Sequence, residues 1–324
     1  MKMTDKTNKK EKLIVILGPT AVGKTDLSIA LAQKLQTEII SGDSMLFYKG
    51  FDIGSAKPTI EERAGIVHHL VDNLEPWENF NVTDFVREAQ SLITDLNQRG
   101  KIPIIAGGTG LYIKALLEGY EFNETADHSE FRQEMTALAE ARGKEHVHHL
   151  LAELDPQAAE EIHANNLRRV IRALEVAHFG GEQISRAKES RADDEASLCY
   201  DVYVVGLNRE RQGLYARINQ RVELMFAAGL EQEVRCLLDK GITREMQAMQ
   251  GIGYKETAAW LNGEMTREEA VELIQKSTRH FAKRQLTWYR KMPYIHWYMA
   301  DEMTDDELLA GVTADIQNYF TNEK

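Results

Sequence analysis

The sequence predicts an α/β fold in which helices flank a parallel β-sheet, together with an all-helical insertion. Three observations support this prediction. Residues 13–17 form an unbroken apolar run, which is typical of a strand buried on both faces of a parallel sheet. A glycine-rich loop, a helical pattern and a short strand pattern at residues 38–41 follow, as in a right-handed β-α-β unit. Residues 121–191 are instead charged, helical in pattern and poor in β-branched side chains.

Later segments extend the sheet and its helices. Residues 84–98 carry apolar side chains at helical spacing, and Gly100 marks the end of that helix. Residues 102–106 predict a third strand, after which a tight glycine turn at residues 107–110 leads into another helix. Residues 202–206 return to a strand pattern, so the core is expected to resume there.

The remainder of the chain, from Arg209 to Trp297, is predicted to be mostly helical, with an acidic surface helix after Ala300. Polar and acidic residues 190–196 predict a surface loop. The patterns divide the chain into a disordered tail at residues 1–12, the first part of the core at 13–120, the helical insertion at 121–195, and the completion of the core with C-terminal helices at 196–324.

Composition restricts the class of protein. The chain has 324 residues, of which 43% are hydrophobic and 28% charged, as in an ordinary globular protein. It contains no run of eighteen apolar residues and no signal-peptide pattern, so we expect a cytoplasmic protein without a membrane span. The net charge of −12 argues against a nucleic-acid binder unless basic residues cluster locally. Screening limits the reach of distant charges to about 8 Å, so such clusters decide the question.

A phosphate-binding motif follows the first strand. It consists of Gly18, Pro19, Thr20, Ala21, Val22, Gly23, Lys24 and Thr25, and it matches G-x-x-x-x-G-K-[ST] in full. The glycines let the backbone curl so that its N–H groups point inward, and the helix N-terminus adds partial positive charge. In this motif the lysine contacts the terminal phosphate and the Thr25 hydroxyl can coordinate Mg²⁺. The sequence therefore predicts a P-loop that binds a polyphosphate, such as that of ATP or another nucleotide.

The P-loop does not reveal which bond is broken, but two missing motifs are informative. The sequence has no N-K-x-D guanine motif, which disfavours a GTPase. No run of four apolar residues ending in Asp follows the P-loop unit, so ATP hydrolysis has no clear acidic residue.

Two polar residues follow other strands of the predicted sheet. Asp43 comes directly after residues 38–41, and Thr109 lies in the glycine turn after residues 102–106. Because the carboxyl ends of parallel strands line one crevice, both are expected beside the P-loop. Asp43 is a candidate general base or metal neighbour, with helix or turn capping as the alternative. For Thr109 the alternative is a plain strand-to-helix turn.

Basic residues cluster despite the acidic total. Arg168, Arg169 and Arg172 share a predicted helix, and Arg217 and Arg221 are spaced four apart on another. Residues 276–291 contain six cations, no acid, and the aromatic residues Trp288 and Tyr289. Cations interleaved with aromatics favour phosphate contacts plus base stacking, as in nucleic-acid binding. A solvated helix face is the alternative.

Several ordered motifs together resemble the tRNA dimethylallyltransferase family, also called tRNA isopentenyltransferase. They are residues 18–25, Ser41-Gly-Asp-Ser-Met-Leu46, Tyr48-Lys-Gly-Phe-Asp-Ile-Gly-Ser-Ala-Lys-Pro58, His68-His-Leu-Val-Asp72, Gly107-Gly-Thr-Gly-Leu-Tyr112, Asn166-Leu-Arg-Arg-Val-Ile-Arg-Ala-Leu-Glu175, Gly251-Ile-Gly-Tyr-Lys-Glu256 and Lys283-Arg-Gln-Leu-Thr-Trp288. The resemblance extends from Leu13 to about Trp297.

The resemblance implies transfer of a dimethylallyl group from dimethylallyl diphosphate to the exocyclic amine of the adenosine beside the anticodon. It implies that Asp43 accepts the amine proton and that Thr109 lies near the reacting base. The P-loop would hold the diphosphate, with Mg²⁺ at Thr25. Arg217 and Arg221 would clamp the diphosphate and neutralise its growing charge.

The resemblance also implies that the helical insertion grips the anticodon stem of the tRNA partner, with the protein acting as a monomer. The residues implied to contact tRNA are Asp43, Ser44, Met45, Leu46, Thr109, Arg132, Asn166, Leu167, Arg168, Arg169, Val170, Gln250, Gly251, Ile252, Gly253, Tyr254, Lys255, Lys283, Arg284, Gln285, Trp288 and Arg290.

Three alternatives remain open at this stage. A P-loop kinase for a nucleotide or another small molecule would share the core but turn over ATP. An adenylate isopentenyltransferase acting on a free nucleotide would not need the long insertion. A non-catalytic RNA-binding protein would not need Lys24, Thr25 and Asp43 intact.

Overall fold

The fold was analysed in a computed structural model, which describes residues 10–120, 128–179 and 197–321. Its centre is a sheet of six parallel strands in the order β3-β2-β4-β1-β5-β6. The strands are β1 (Lys12–Leu17), β2 (Ile39–Ser41), β3 (His68–His69), β4 (Ile104–Gly107), β5 (Asp201–Asn208) and β6 (Ile295–Met299). This arrangement confirms the predicted fold class.

Helices flank the sheet on the same compact unit, which comprises residues 1–119 and 194–324. They are α1 (Lys24–Leu35), α2 (Val82–Gln98), α3 (Gly110–Leu117), α8 (Arg211–Ala227), α9 (Leu230–Asp239), α10 (Tyr254–Leu261), α11 (Arg267–Tyr289) and α12 (Asp305–Thr321), with a 3₁₀ turn at Gln247–Gln250. None of the described helices is long and apolar enough to cross a membrane.

The position of β1 explains the order of the site-bearing loops. All five residues from Leu13 to Leu17 are fully buried, and β1 pairs with β4 on one side and β5 on the other. Because β4 lies between β1 and β2, the loops after these three strands form a row at one edge of the sheet. Strands β1 and β2 are therefore not hydrogen-bonded to each other, although α1 connects them in a β-α-β crossover.

Four details differ from the sequence prediction. The predicted tail of residues 1–12 is too long, because Lys12 begins β1 and the Lys10 ammonium donates to the Leu198 carbonyl at 2.6 Å. The chain near Trp297 is not helical but forms the edge strand β6. The two-residue strand β3 was not predicted. Helix α2 begins earlier than Asp84, because Asn81 caps it by accepting the N–H groups of residues 83 and 84.

A second compact unit comprises residues 120–193 and is helical throughout its described part. Its helices are α4 (Ser129–Arg142), α5 (Lys144–Leu154), α6 (Pro156–Glu161) and α7 (Leu167–Phe179). Val147, Leu151 and Val170 are fully buried at its centre. His148 contacts the carbonyl oxygens of residues 159 and 162, at 3.0 and 2.7 Å. The loop predicted at residues 190–196 lies outside the described residues.

Candidate active site

The P-loop lies between the end of β1 and the start of α1, and its two glycines shape it. Gly18 adopts φ 154°, and a Cβ there would lie only 2.5 Å from the carbonyl oxygen of Leu207 in β5. Gly23 adopts φ 111° directly before α1. The Lys24 ammonium curls back and donates to the carbonyl oxygens of Gly18 and Pro19, at 3.0 and 2.9 Å. The loop therefore has the cradle shape that its sequence predicts.

A cleft of about 480 Å³ opens over this cradle. The P-loop and the start of α1 form one side, α8 contributes Arg217 and Arg221, and the loop at residues 56–58 forms another wall. The Arg221 guanidinium lies 3.5 Å from the Thr20 hydroxyl, and Arg217 donates to the Ala21 carbonyl at 2.9 Å. Arg221 is half-buried, whereas Arg217 is exposed. Both arginines predicted to bind diphosphate are thus brought to the P-loop.

The positive charges of the cleft perturb one another. Burial lowers the pKa of Lys24 from 10.5 to about 8; the nearby Asp43 opposes this shift and Arg221 adds to it. Burial, and then the neighbouring Arg217, also lower the pKa of Arg221. A concentration of cations that repel one another in a half-buried cleft is typical of a site for a polyanion.

This lowered pKa predicts a pH dependence of ligand binding. Above pH 8 the unliganded protein holds Lys24 mostly neutral, while a bound diphosphate favours the protonated form, so binding takes up a proton. We expect the affinity for an alkyl diphosphate to fall by roughly tenfold or more between pH 7.5 and 9.5. The last ionisation of a phosphate ester lies near pH 6, so the ligand itself does not titrate in this window.

Titration calorimetry without metal at several pH values would measure this effect. Lys24→Arg is the matched control, because arginine stays charged across the window and should flatten the profile. A wild-type affinity that does not change between pH 7.5 and 9.5 would contradict the assignment of Lys24 as the titrating group.

The other two predicted residues meet at the neighbouring strand ends. The Asp43 carboxylate accepts the Met45 N–H at 3.0 Å through Oδ1, which fixes its orientation after β2. The Thr109 hydroxyl, after β4, accepts the Ser44 N–H at 3.1 Å, and the Thr109 N–H donates to the Gly42 carbonyl at 3.2 Å. The turns that carry Asp43 and Thr109 are therefore joined by hydrogen bonds.

A second, smaller cavity of about 100 Å³ connects these turns with the phosphate cradle. Lys24, Thr25 and Arg221 line it on one side and Asp43 on another. Its remaining wall is mixed: Ile39, Leu46, Val71, Ala106 and Phe281 are apolar, whereas Thr20, Ser28, Ser41, Ser55, His68 and Gln285 are polar. The structure thus places the Asp43 carboxylate and the cations Lys24 and Arg221 around one small cavity.

Helix α11 is hydrogen-bonded to both the P-loop and the glycine turn after β4. The Gln285 amide donates to the Gly108 carbonyl at 2.8 Å, and its oxygen accepts the Thr20 N–H at 3.0 Å. The Tyr289 hydroxyl also donates to the Gly108 carbonyl at 2.8 Å. Sequence reasoning missed this structural role, although Gln285 belongs to a recognised motif. Its only local signal is a position on the buried side of a long amphipathic helix.

The residues predicted to contact RNA divide by exposure. On α11, Lys283, Arg284 and Trp288 are exposed, as is Arg290 directly after the helix. Lys283, Arg284 and Trp288 line an open groove of about 530 Å³ together with His280, Thr287 and Lys291. Gln285 is only 6% exposed and bonded to backbone, and Tyr254 is fully buried. These two side chains are therefore not on the open surface, although Gln285 lines the cavity that also holds Asp43, and their contact with RNA stays a prediction.

Other residues in these predicted segments remain accessible. Gln250 and Lys255 are exposed around the start of α10, whereas Gly253 is buried between them. On the helical unit, Asn166, Arg168 and Arg169 are exposed at the start of α7. The Val170 side chain is fully buried in that unit's core, and its predicted RNA contact stays a prediction.

Two exposed arginines of the helical unit share a buried acid. Arg172 lies 2.9 Å from the Glu175 carboxylate and Arg132 lies 4.0 Å from it, while Glu175 is 1% exposed. A buried carboxylate needs such partners, so these contacts stabilise the unit as well as orienting both cations.

Fold and site together define a protein of the α/β class in which a P-loop cradle lies beside a carboxylate. The model of the family described as "IPP transferase" matches residues 46–292, so the chain belongs to the IPP transferase family. This finding confirms the resemblance identified from the sequence motifs.

Individual relatives match nearly the whole chain. A protein of Alkaliphilus metalliredigens (strain QYMF) named tRNA dimethylallyltransferase is 45% identical over 311 residues, which are 96% of this chain and 99% of the relative. The crystal structure of a full-length tRNA isopentenylpyrophosphate transferase from Bacillus halodurans has 42% identity and a TM-score of 0.71, covering 96% of this chain and 97% of that one. A eukaryotic dimethylallyltransferase described as acting on tRNA has 29% identity and a TM-score of 0.79, covering 97% and 80%.

Proposed function

We propose that this protein transfers the dimethylallyl group of dimethylallyl diphosphate to the exocyclic amine of the adenosine beside the anticodon of tRNA, releasing diphosphate. The observation that carries the proposal is the junction of Lys24, Thr25, Arg221 and Asp43 around one small cavity. The names of the relatives supply the substrate class, because the matched proteins are called tRNA dimethylallyltransferases.

The P-loop is suited to hold the leaving group rather than to break a phosphate bond. An allylic diphosphate ionises readily because its cation is delocalised, so catalysis depends on stabilising charge on the departing diphosphate. Lys24 and Arg221 provide that charge in a half-buried setting, where electrostatic interactions are stronger than in water. Arg217 lies farther out and would contact the diphosphate from the exposed side.

The apolar part of the smaller cavity offers a place for the prenyl chain. Ile39, Leu46 and Phe281 line it close to Lys24 and Asp43. This cavity has a volume of about 100 Å³. The chain would then lie between the phosphate cradle and the carboxylate, as displacement of the diphosphate by the adenine amine requires.

In this proposal Asp43 acts as the base. The adenine nitrogen forms a bond to the terminal carbon of the dimethylallyl group while the bond from that carbon to the diphosphate oxygen breaks. The electron pair leaves with the diphosphate, and the nitrogen proton passes to the Asp43 carboxylate. Thr109, whose hydroxyl accepts the N–H of Ser44, the residue after Asp43, would contact the nucleobase or its backbone. The adenosine must be flipped from the loop, which costs least in a single strand.

The residues at the cleft fit a magnesium ion that takes most of its ligands from substrate and water. Among the residues that the structure describes, no group of three His, Cys, Asp or Glu side chains could hold a metal on its own. Thr25 lines both cavities next to Lys24, so its hydroxyl is the protein ligand that the P-loop offers. Mg²⁺ bound there with the diphosphate would neutralise part of its charge.

Contact with tRNA is proposed through the exposed cations of both units. On α11 and directly after it these are Lys283, Arg284 and Arg290, with Trp288 available for stacking. On α7 they are Arg168 and Arg169. The helical unit would grip the anticodon stem. Phosphate contacts of this kind dominate nucleic-acid affinity and make it dependent on salt.

Salt dependence provides a test of the α11 surface. Lys283→Ala and Arg284→Ala should each weaken tRNA binding several-fold and reduce the slope of log affinity against log salt by about one. Fluorescence anisotropy with labelled anticodon stem-loop at several salt concentrations would measure both quantities. Arg235→Ala is the matched control, because Arg235 is an exposed cation of α9 paired with Glu231. An unchanged slope in both α11 variants would remove them from the interface.

Transfer itself is tested with labelled dimethylallyl diphosphate, offered in parallel to unmodified tRNA and to AMP, with Mg²⁺ and without ATP. Label in the tRNA near the anticodon would support the proposal. Label in AMP alone would instead identify an enzyme for free nucleotides. No transfer combined with rapid ATP consumption would identify a kinase.

A further inference from the structure

One wall of the diphosphate cleft consists of irregular backbone. Residues 52–58 contain no helix or strand, yet Ala56, Lys57 and Pro58 line the same cleft as Lys24 and Arg221. This loop is part of one motif that carries the family resemblance, but no catalytic step uses its side chains. Its conformation has to be fixed by groups from elsewhere in the chain.

The Glu233 carboxylate, from α9, binds the start of this loop. It accepts three consecutive backbone N–H groups, from Asp52 at 3.1 Å, Ile53 at 2.7 Å and Gly54 at 3.2 Å. Successive N–H groups that converge in this way form a concave site for an anion. Hydrogen bonds to a carboxylate are stronger than bonds between neutral groups, so one side chain fixes three residues of backbone.

Tyr254 of α10 completes the contact. Its hydroxyl donates to the Glu233 carboxylate at 2.7 Å and accepts the Ser55 N–H at 3.1 Å. Burial and the nearby Glu233 raise the pKa of this phenol, so it remains a hydrogen-bond donor. A Cβ on Gly54 would lie only 2.6 Å from the Tyr254 ring, which shows how closely the loop packs on it. The four N–H groups of residues 52–55 therefore all bind Glu233 or Tyr254.

Lys57 holds the other end of the loop, and its ammonium is already paired with carboxylates of the protein. Lys57 is 9% exposed, lies 2.7 Å from Asp52, also pairs with Asp72, and donates to the Tyr48 carbonyl at 2.8 Å. A buried ammonium paired with two carboxylates is structural rather than available to a diphosphate. The cations of the cleft are thus Lys24, Arg217 and Arg221, and residues 56–58 act on the ligand through their shape.

We propose that Glu233 and Tyr254 are positioning residues of the diphosphate cleft: together they fix the backbone of residues 52–55 and so hold the wall at residues 56–58 opposite Lys24 and Arg221. This role links two separate motifs of the family, residues 48–58 and 251–256, through an acid that belongs to neither. The identity of the ligand, dimethylallyl diphosphate, rests on the proposed function.

The test compares binding with turnover. Glu233→Ala is expected to raise both the dissociation constant and the KM for dimethylallyl diphosphate by about tenfold, because three N–H groups lose their charged acceptor. The kcat at saturating diphosphate and tRNA should stay within about threefold of wild type, since Asp43 and Lys24 are untouched. Tyr254→Phe keeps the ring and removes the hydroxyl, so about a threefold rise is expected. Glu231→Ala, on the same helix and paired with Arg235, is the matched control and should behave as wild type.

Glu233→Gln keeps an oxygen acceptor in place and should recover part of the lost affinity, which a role limited to folding would not predict. Wild-type binding and KM in both Glu233→Ala and Tyr254→Phe would overturn the proposal, as would a loss confined to kcat. If Glu233→Ala does not fold, Tyr254→Phe and Gly54→Ala carry the test, because a methyl at Gly54 pushes the same loop off the Tyr254 ring. Should wild type transfer nothing to tRNA, the proposed function fails, while calorimetry with dimethylallyl diphosphate still decides the positioning role.

Discussion

Replacing Asp43 by alanine is expected to lower kcat for prenyl transfer to tRNA by about 10³-fold, within the range that a general base contributes. The adenine amine is a weak nucleophile, and its proton needs an acceptor as the new bond forms. Asp43 is the carboxylate that the small cavity places opposite Lys24 and Arg221. Binding of tRNA should be largely unchanged, because the exposed cations proposed to attract RNA are elsewhere on the surface.

Asp43→Asn sharpens this test. An asparagine oxygen can still accept the Met45 N–H, so the turn after β2 keeps its shape while the base is lost. Single-turnover rates at saturating tRNA would separate chemistry from binding, and both variants should be equally slow. Weaker tRNA binding with an unchanged single-turnover rate would contradict the role of Asp43 as the base.

The second large effect is expected from Arg221→Ala, which should reduce the rate of transfer by about 10²-fold or more. Arg221 is half-buried, lies against the Thr20 hydroxyl and lines both cavities. Its charge therefore acts on the leaving group with little screening by water. Without Arg221, the negative charge that develops on the departing diphosphate would be stabilised by Lys24 but no longer by this arginine.

Arg217→Ala is the matched comparison, because Arg217 lies one helical turn away on the same face of α8. It is exposed and contacts the P-loop backbone, so its loss should cost about tenfold or less. Steady-state kinetics with both variants, together with Lys24→Ala as an inactive reference, would rank the three cations. Equal losses in the two arginine variants would show that burial does not set their contributions.

The sequence predicted the parts of the fold whose signals are local. The buried run before the P-loop, the glycines and the amphipathic pattern of α2 each identify their element without reference to the rest of the chain. Strand β6 was missed because Ile295–Met299 is short, mixed in polarity and follows directly after the long helix α11. Strand β3 has two residues, and no periodicity can be read from so short a segment.

In the candidate site too, only the residues with local sequence signals could be predicted. Lys24 and Asp43 follow strand ends, so a parallel sheet alone brings them to one edge. Gln285 and Glu233 could not be found in this way, because each is a polar residue on a helix whose partner is backbone far away in sequence. Motif resemblance grouped Gln285 and Tyr254 with exposed neighbours as RNA contacts, whereas only three-dimensional packing shows that both face inward.

Helix α11 also bears on which nucleotide can react. Gln285 and Tyr289 fasten its inner side to the turn at Gly108, and Gln285 also reaches the P-loop. Lys283 and Arg284 lie within one helical turn of these anchors on the outer side. If RNA phosphates bind those two cations, the anchored helix fixes the distance between the RNA backbone and the reacting carbon of the prenyl group. An RNA loop whose target adenosine lay one nucleotide earlier or later would then not bring its amine to Asp43 and the reacting carbon, however tightly the loop bound.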